Sequence, residues 1–520
     1  MALISGGVAS RRTFAVFAAV FVTAFTAVLS IASKSEAAEV IYWDNYSDNT
    51  VSYASVDGSG GGLANLTGVT LDSPEGIAYD SLTNRLFIAS SSGGPGGIGE
   101  IIFANLDGSG AGVLSAPGAP VDSPEAIAVD PVTRLVYWTN TGGTNSIGWA
   151  RLDGSGGGAL NTTGATLENI YKLALDPVAG RVYWTNSPPV GPDFLSFANA
   201  NNSGGGGILS LAGATPPEGI TGLSVDPAGN RIYWLDQTGE RVSFASLGGG
   251  GGGDVNMTGA VFKNPYGLAF DPSIGRLYWG NYNSGTTVKT GAIGFANVSG
   301  GGGGINISTA PVHGPQDPVI LKSPTGSGAP TVTRSTKSRS SLSCSAGSWT
   351  ADYPGSFVYQ SPRAFAYQWT RNGVAIAGAT ATTFAAKSAG QYACAVTATN
   401  QTGSASQASA AVKVKSAKVK LNVKKKVTVK PGGVAKFNVK AVNQGDIQSR
   451  KARVCVKVPK KAKADLKAPK CRSLSKLKGR GKRGGPLKVK VGKSAAGTYK
   501  VTFSVKGSPG TSAKAKILVK

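Results

Sequence analysis

Two hydrophobic rhythms divide this chain. Between residues 39 and 322 apolar residues come in short unbroken runs, such as IYW at 41–43 and LYW at 277–279, separated by clusters of Gly, Pro, Asn and Asp. Short apolar runs bounded by turn residues predict strands packed on both faces. From Val412 the rhythm changes to strict alternation, VKVK, VKLNVK and LKVKV. That is the period-two pattern of strands with Val or Leu inward and Lys outward.

The apolar runs repeat. IYW at 41–43, LFI at 86–88, VYW at 136–138 and 182–184, IYW at 232–234 and LYW at 277–279 follow one another at spacings of 45, 50, 46, 50 and 45. Tyr42, Trp43, Tyr137, Trp138, Tyr183, Trp184, Tyr233, Trp234, Tyr278 and Trp279 carry the signature. Each of the last five runs is preceded by a GIAYD-like segment, ending at Asp80, Asp130, Asp176, Asp226 and Asp271. The connection, often Asp-Pro, ends in Arg85, Arg134, Arg181, Arg231 or Arg276, which predicts a tight hairpin. A third element, aromatic then Ala (Phe103-Ala104, Trp149-Ala150), leads into a Gly-rich turn such as DGSGGG and a fourth apolar segment typified by ALNTTGATL. Four strands in about 45 residues is the spacing of a β-propeller blade. The first repeat lacks its GIAYD-like strand, and PQDPVIL at 315–321 supplies one from the far end. The expectation is a closed ring of six blades.

These residues resemble the YWTD repeats of six-bladed propellers of the low-density-lipoprotein-receptor type, over Glu39 to Lys322. The likeness rests on YWTN at 137–140 and 183–186, on the GIAYD-like strands and on LDGSG at Leu106 and Leu152. Asn often replaces the last Asp, the second repeat reads FIAS, and loops shorten into glycine runs. The resemblance implies binding of an extracellular partner through one propeller face.

Two further modules follow. After the Pro/Gly/Ser linker SPTGSGAP from Ser323, Cys344, Trp369 and Cys394 stand in immunoglobulin-like order, with Tyr392 two residues before the second cysteine. CSAGSW, YQWTRNG and GQYACAVTATNQTGSA resemble bacterial Ig-like repeats. PGGVAKFNVKAVNQGD and SAAGTYKVTFSV resemble CARDB-like β-sandwich domains. The fold class expected is all-β, a six-bladed β-propeller plus two C-terminal β-sandwich domains. The boundaries are a signal peptide at 1–37, a propeller at 38–322, an Ig-like sandwich at 323–412 and a Lys-rich sandwich at 413–520.

Charge sharpens this division. Residues 413–520 hold 33 Lys and Arg against two acids, Asp446 and Asp465, whereas the preceding 412 residues hold 20 basic and 25 acidic. Only five of the 33 are Arg, so diffuse attraction is favoured over bidentate reading. An anionic cell-wall polymer is one partner for this tail, and a solvated, edge-protecting sandwich face is the plainer reading. Nucleic acid is disfavoured, because Phe437, Tyr499 and Phe503 are few aromatics for stacking and no recognition motif appears.

Arg11 and Arg12, an uncharged stretch from Thr13 to Ser33, and Ser35-Glu36-Ala37 read as a secretory signal cleaved after Ala37. A retained anchor is the alternative, and SRRTF leaves general and twin-arginine export open. The mature chain is expected to hold no membrane span and to be secreted or attached to the cell surface. Four cysteines in an exported chain suit disulfides, with Cys344–Cys394 and Cys455–Cys471 favoured by proximity.

Catalysis has thin support. The single histidine, His313, reads as a solvated loop residue, and no Cys/His cluster exists. The DGSGGG turns lack the alternating ligands of a calcium loop and read as hairpin turns. Sequons at Asn65, Asn161 and Asn256 recur at one blade position and follow from the repetition. Glu75, Glu125 and Glu218 each follow a Pro before a first strand, near the channel mouth. They serve the turn or, in a lactonase-like or lyase-like alternative, bind a divalent metal and act as acid and base. The leading expectation is a non-catalytic binding protein without cofactor or metal, whose propeller face takes an extracellular protein or glycan.

Overall fold

The computed structural model describes residues 39–282, 293–305, 307, 309–469 and 471–520; the leader expected at 1–37 lies outside them. The described residues form strands and three short 3₁₀ turns. Among them no helix is long and apolar enough to cross a membrane.

Six four-stranded units make the propeller. Blade 2, for example, runs Pro74–Asp80, Arg85–Ser90, Glu100–Asn105 and Ala111–Val113 from the axis outward. Blade 1 takes its innermost strand from the far end of the array. Val319–Lys322 pairs antiparallel with Glu39–Asn45, Tyr42 opposite Val319 and Glu39 opposite Lys322. Val319–Lys322 also touches the inner strands of blades 2 and 6, so the ring closes. Every second strand buries five consecutive residues, as the unbroken runs require. Trp43, Trp138, Trp184, Trp234 and Trp279 are all fully buried.

The outer strand differs from expectation. It is the tail of the glycine run, Gly157–Ala159 in blade 3, while most of the ALNTTGATL string is connecting loop. Glycine is needed there because the aromatic of the third strand lies across it. A Cβ on Gly112 would meet the Phe103 ring at 2.8 Å, and one on Gly303 the Phe295 ring at 2.9 Å. The repeated arginines cover the other side of these rings: Arg85, Arg181, Arg231 and Arg276 lie 4.3–4.7 Å from the ring centroids. Arg134 stands one position earlier, at a left-handed corner (φ 62°), and makes a two-point pair with Asp80 of blade 2 at 2.6 and 2.7 Å. Asn serves at the end of the second strand, where Oδ1 of Asn140, Asn186 and Asn281 each accepts an N–H from the loop 18 residues upstream.

Beyond the ring stand two sandwiches. The first buries Leu342, Trp369, Tyr392 and Val396 around the Cys344–Cys394 disulfide, and the Tyr392 hydroxyl donates to the Ser388 carbonyl at 2.7 Å. Its last strand, Val412–Val414, pairs with Gly390–Asn400 and buries Val414 in this core. The first VKV therefore closes this module instead of opening the next. The second sandwich packs Phe437 against Phe503 at 5.1 Å and holds the Cys455–Cys471 disulfide.

The linker expectation needs correction. Gly326–Gly328 is a strand paired with Ser348–Trp349. More consequentially, the first sandwich sends residues 353–359 into the propeller. Pro354–Ser356 forms a 3₁₀ turn against the inner strands of blades 3 to 6, and Val358–Tyr359 adds in parallel to Val319–Lys322. The Ser356 hydroxyl donates to the Val225 carbonyl at 2.5 Å, and a Cβ on Gly355 would sit 2.5 Å from the Leu175 carbonyl oxygen. The ring and the sandwich are interlocked modules.

Candidate functional site at the channel mouth

The inner strands run from the mouth of the channel down its wall. Blades 2 to 6 each show a register shift near the start of this strand, between Pro74 and Gly76 in blade 2 and between Ile170 and Leu173 in blade 4. Such bulges re-aim side chains, so two successive residues per blade face the axis. The upper ring, counted back five residues from the strand-end Asp, is Glu75, Glu125, Tyr171, Thr221 and Tyr266, with Gln316 from the segment leading into the closing strand. The ring beneath is Gly76, Ala126, Lys172, Gly222, Gly267 and Asp317. Four small residues leave space there for two charged ones. A Cβ on Gly267 would meet Asp317 Oδ1 at 2.3 Å, and one on Gly76 would meet Asp317 Oδ2 at 2.9 Å.

Lys172 and Asp317, from blades 4 and 1, reach across the channel to meet at 3.4 Å. The Lys172 ammonium also donates to the Glu75 carbonyl oxygen at 3.1 Å and lies 6.0 Å from the centre of the Tyr266 ring. Burial works against its charge, but Asp317, Glu125, Glu75 and Asp44 outweigh burial and hold the ammonium protonated. The carboxyls shift upward too. Burial is the first cause for each, and Lys172 opposes it at Glu75, Glu125, Asp317 and Asp44. Glu125 is pushed up to about 8. Asp44, at the end of the IYWD run, is fully buried, and neither of its oxygens accepts a hydrogen bond.

Above Lys172 opens a cavity of about 450 Å³, walled by Glu75, Glu125 and Thr221 and rimmed by Tyr46, Tyr171, Tyr266 and Tyr282. Tyr282 packs against Tyr46 and Tyr266 at ring distances of 6.2 and 5.8 Å. Below Lys172 the channel ends. Leu173, Leu223, Leu268, Pro318 and Phe357 leave a void of only about 10 Å³. Phe357, the tip of the inserted segment, adopts φ 57° and seals the base, its carbonyl accepting from the Ile320 N–H at 2.9 Å. The site is a blind, acidic, tyrosine-rimmed pocket of the size that takes small ligands or side chains.

Two of the three glutamates singled out by sequence, Glu75 and Glu125, meet in this wall. Glu218 does not. It lies exposed in the preceding loop, where its backbone N–H donates to Asp236. The PEGI string of blade 5 lies three residues farther from the strand-end Asp than that of blade 2, so Thr221 takes the position Glu75 holds. Counting from the Asp would also have identified Lys172. His313 is engaged rather than merely solvated: its Nδ1 pairs with Asp48, and its N–H donates to Asn45 at 3.2 Å. The DGSG aspartates cap their own turns, Asp57, Asp107 and Asp153 each accepting the Ser N–H two residues on at 2.9 Å. Among the described residues no three His, Cys, Asp or Glu side chains stand together in a metal-holding group.

No family model matches this chain, and no characterised sequence matches it. Among solved structures it is similar to a chain of a nidogen/laminin complex, with 16% identity over 54% of this chain and 98% of that one, and a TM-score of 0.43. It is also similar to a gluconolactonase from Xanthomonas campestris (15% identity, 54% and 85% covered, TM-score 0.35) and to TolB from Acinetobacter baumannii (12% identity, 54% and 66% covered, TM-score 0.40). At such identities the likeness concerns the fold alone, an all-β chain built on a β-propeller.

Proposed function

We propose that this chain is an exported, non-catalytic binding protein whose propeller mouth takes a positively charged group of an extracellular protein or glycan. The observation that carries the reading is a blind pocket with Glu75 and Glu125 in its wall and Lys172 at its base, where Asp317 and Asp44, buried behind, act on the same lysine. An entering ammonium or guanidinium would displace the proton that Glu125 carries below about pH 8 and pair with the carboxylate left behind, and the tyrosine rim would cover its faces. The two sandwiches, Ig-like and CARDB-like in this proposal, space and attach the propeller.

The presence of Glu75 and Glu125 in one wall also favours an enzyme using channel carboxylates and a divalent ion. Lys172 competes with either cation for the same carboxylates, so the two readings differ in the ligand they admit. Calorimetric titration separates the two. N-acetyl-lysine methylamide or glucosamine should bind, the neutral N-acetyl-norleucine methylamide and glucose should not, and E75Q/E125Q should abolish the difference. Equal binding of the neutral probes would overturn the proposal. So would thermal stabilisation by Ca²⁺ or Mg²⁺ that E75Q/E125Q removes, since that outcome belongs to the metal-dependent alternative.

A further inference from the structure

The second sandwich holds an arrangement that its composition alone does not reveal. Its larger sheet places Ala513–Val519 between Lys426–Val429 and Gly497–Lys506. Lys516 is the direct cross-strand partner of Lys426 on one side and of Lys500 on the other, and all three are exposed. With strands ~4.8 Å apart, three ammonium groups form one row about 10 Å long. Two residues along, ~7 Å away, Lys514 and Lys457 flank Thr502 in a second row on the same face.

Like charges directly opposite one another destabilise a sheet. Protection against edge pairing does not account for the row, because edge protection needs lysines on edge strands and Lys516 lies on an interior one. Nor does this domain balance the row itself. Asp446 is buried between Arg334 and Arg480 at 3.5 and 3.4 Å, and Asp465 accepts from the Tyr499 hydroxyl at 3.1 Å. Tyr499 alternates to the opposite side of its strand from Lys500. The neutralising charge has to come from outside.

We propose that this face docks a linear phosphate polymer. Three features specify the occupant. The charges lie in rows, which suits a chain of anions over a single ion. The row is all Lys, a compact point charge that binds phosphate oxygens without fixing one planar geometry, which suits a repeating anion. Among the described residues, the same-face neighbours of the row are Thr428, Thr498, Thr502, Lys514 and Leu518, none of them aromatic, so a polymer read by charge without base stacking fits it.

The test uses the full chain and long-chain inorganic polyphosphate as the probe, titrated across a salt series. K426Q/K500Q/K516Q should weaken binding at least tenfold at about 0.1 M salt and flatten the log K against log salt slope by about 2, near 0.7 per lost contact. K460Q/K461Q/K463Q removes the same charge from the turn at Lys460–Ala462 and the next residue, and should cost less than about threefold if position matters. The row variant should also melt no lower than the wild type, because relieving like-charge pairs does not destabilise a sheet. Equal losses in the two triples would reduce the face to diffuse charge and overturn the proposal. Equal affinity for polygalacturonate, for duplex DNA or for phosphatidylglycerol vesicles would overturn the choice of polymer, and a lower melting point in the row variant would assign the lysines to the fold.

Discussion

Replacing Lys172 with Met keeps most of the buried stem and removes the one cation at the centre of the carboxyl cluster. At 3.4 Å from Asp317 and an effective dielectric of about 20, the lost attraction is ~5 kcal/mol, and removing one partner of a buried pair typically costs about 3–5 kcal/mol. Protonation can relieve the loss. Without the ammonium, Asp317, Glu75 and Glu125 lose the group that holds their ionised forms down. In mild acid they take up protons and no unpaired charge remains. K172M should therefore cost about 3–4 kcal/mol near pH 8.5 and only ~1 kcal/mol near pH 5, the scale of an ordinary substitution. Urea unfolding followed by tryptophan fluorescence reports this, since six of the eight tryptophans lie in the propeller. Adding E125Q should recover part of the loss at pH 8.5. An equal cost at both pH values, or none at pH 8.5, would refute the electrostatic account of the cluster.

Three further outcomes follow from the same geometry. Glu125 carries its proton in the folded state up to about pH 8, against 4.5 unfolded, so its contribution is present below 4.5 and is lost as pH rises through 8. E125Q should flatten the decline of the propeller's melting point across that window, and an unchanged decline would count against the assignment. Phe357→Ala empties the seal and should cost about 3–5 kcal/mol, with faster hydrogen exchange at the Ile320 amide; unaltered stability would show that the inserted segment is dispensable. E218Q should leave probe binding unchanged while T221E, placing a further carboxyl beside Glu75 and Glu125 in the wall of the cavity, tightens a cationic probe severalfold, and the reverse would show that the PEGI strings define the site.

The propeller was legible because repetition exposes it. A burial pattern imposed six times, with the missing strand visible at 315–321, leaves little freedom in blade number or in closure. The pocket was less legible. Lys172 and Asp317 sit inside the strings KLALD and PQDPVIL, but their direction depends on a bulge in the inner strand, and no periodicity marks a bulge. Glu218 shows the converse: an identical tetrapeptide in a different register carries its side chain away from the axis. The inserted segment, DYPGSFVY at 352–359, reads locally as a turn in a sandwich. Its burial arises from contacts with residues more than 100 positions away, such as Val225, which no local pattern encodes.

Because Phe357 and its neighbours stop the ring from beneath, the space above Lys172 has one doorway. Nothing can thread through it, and whatever enters must back out the way it came. A guest larger than about 450 Å³ has to offer a terminus, with its remainder trailing in solvent. That architecture favours a projecting tip on a bulky molecule over a compact metabolite in transit, so the first libraries worth screening are those whose charged end is free.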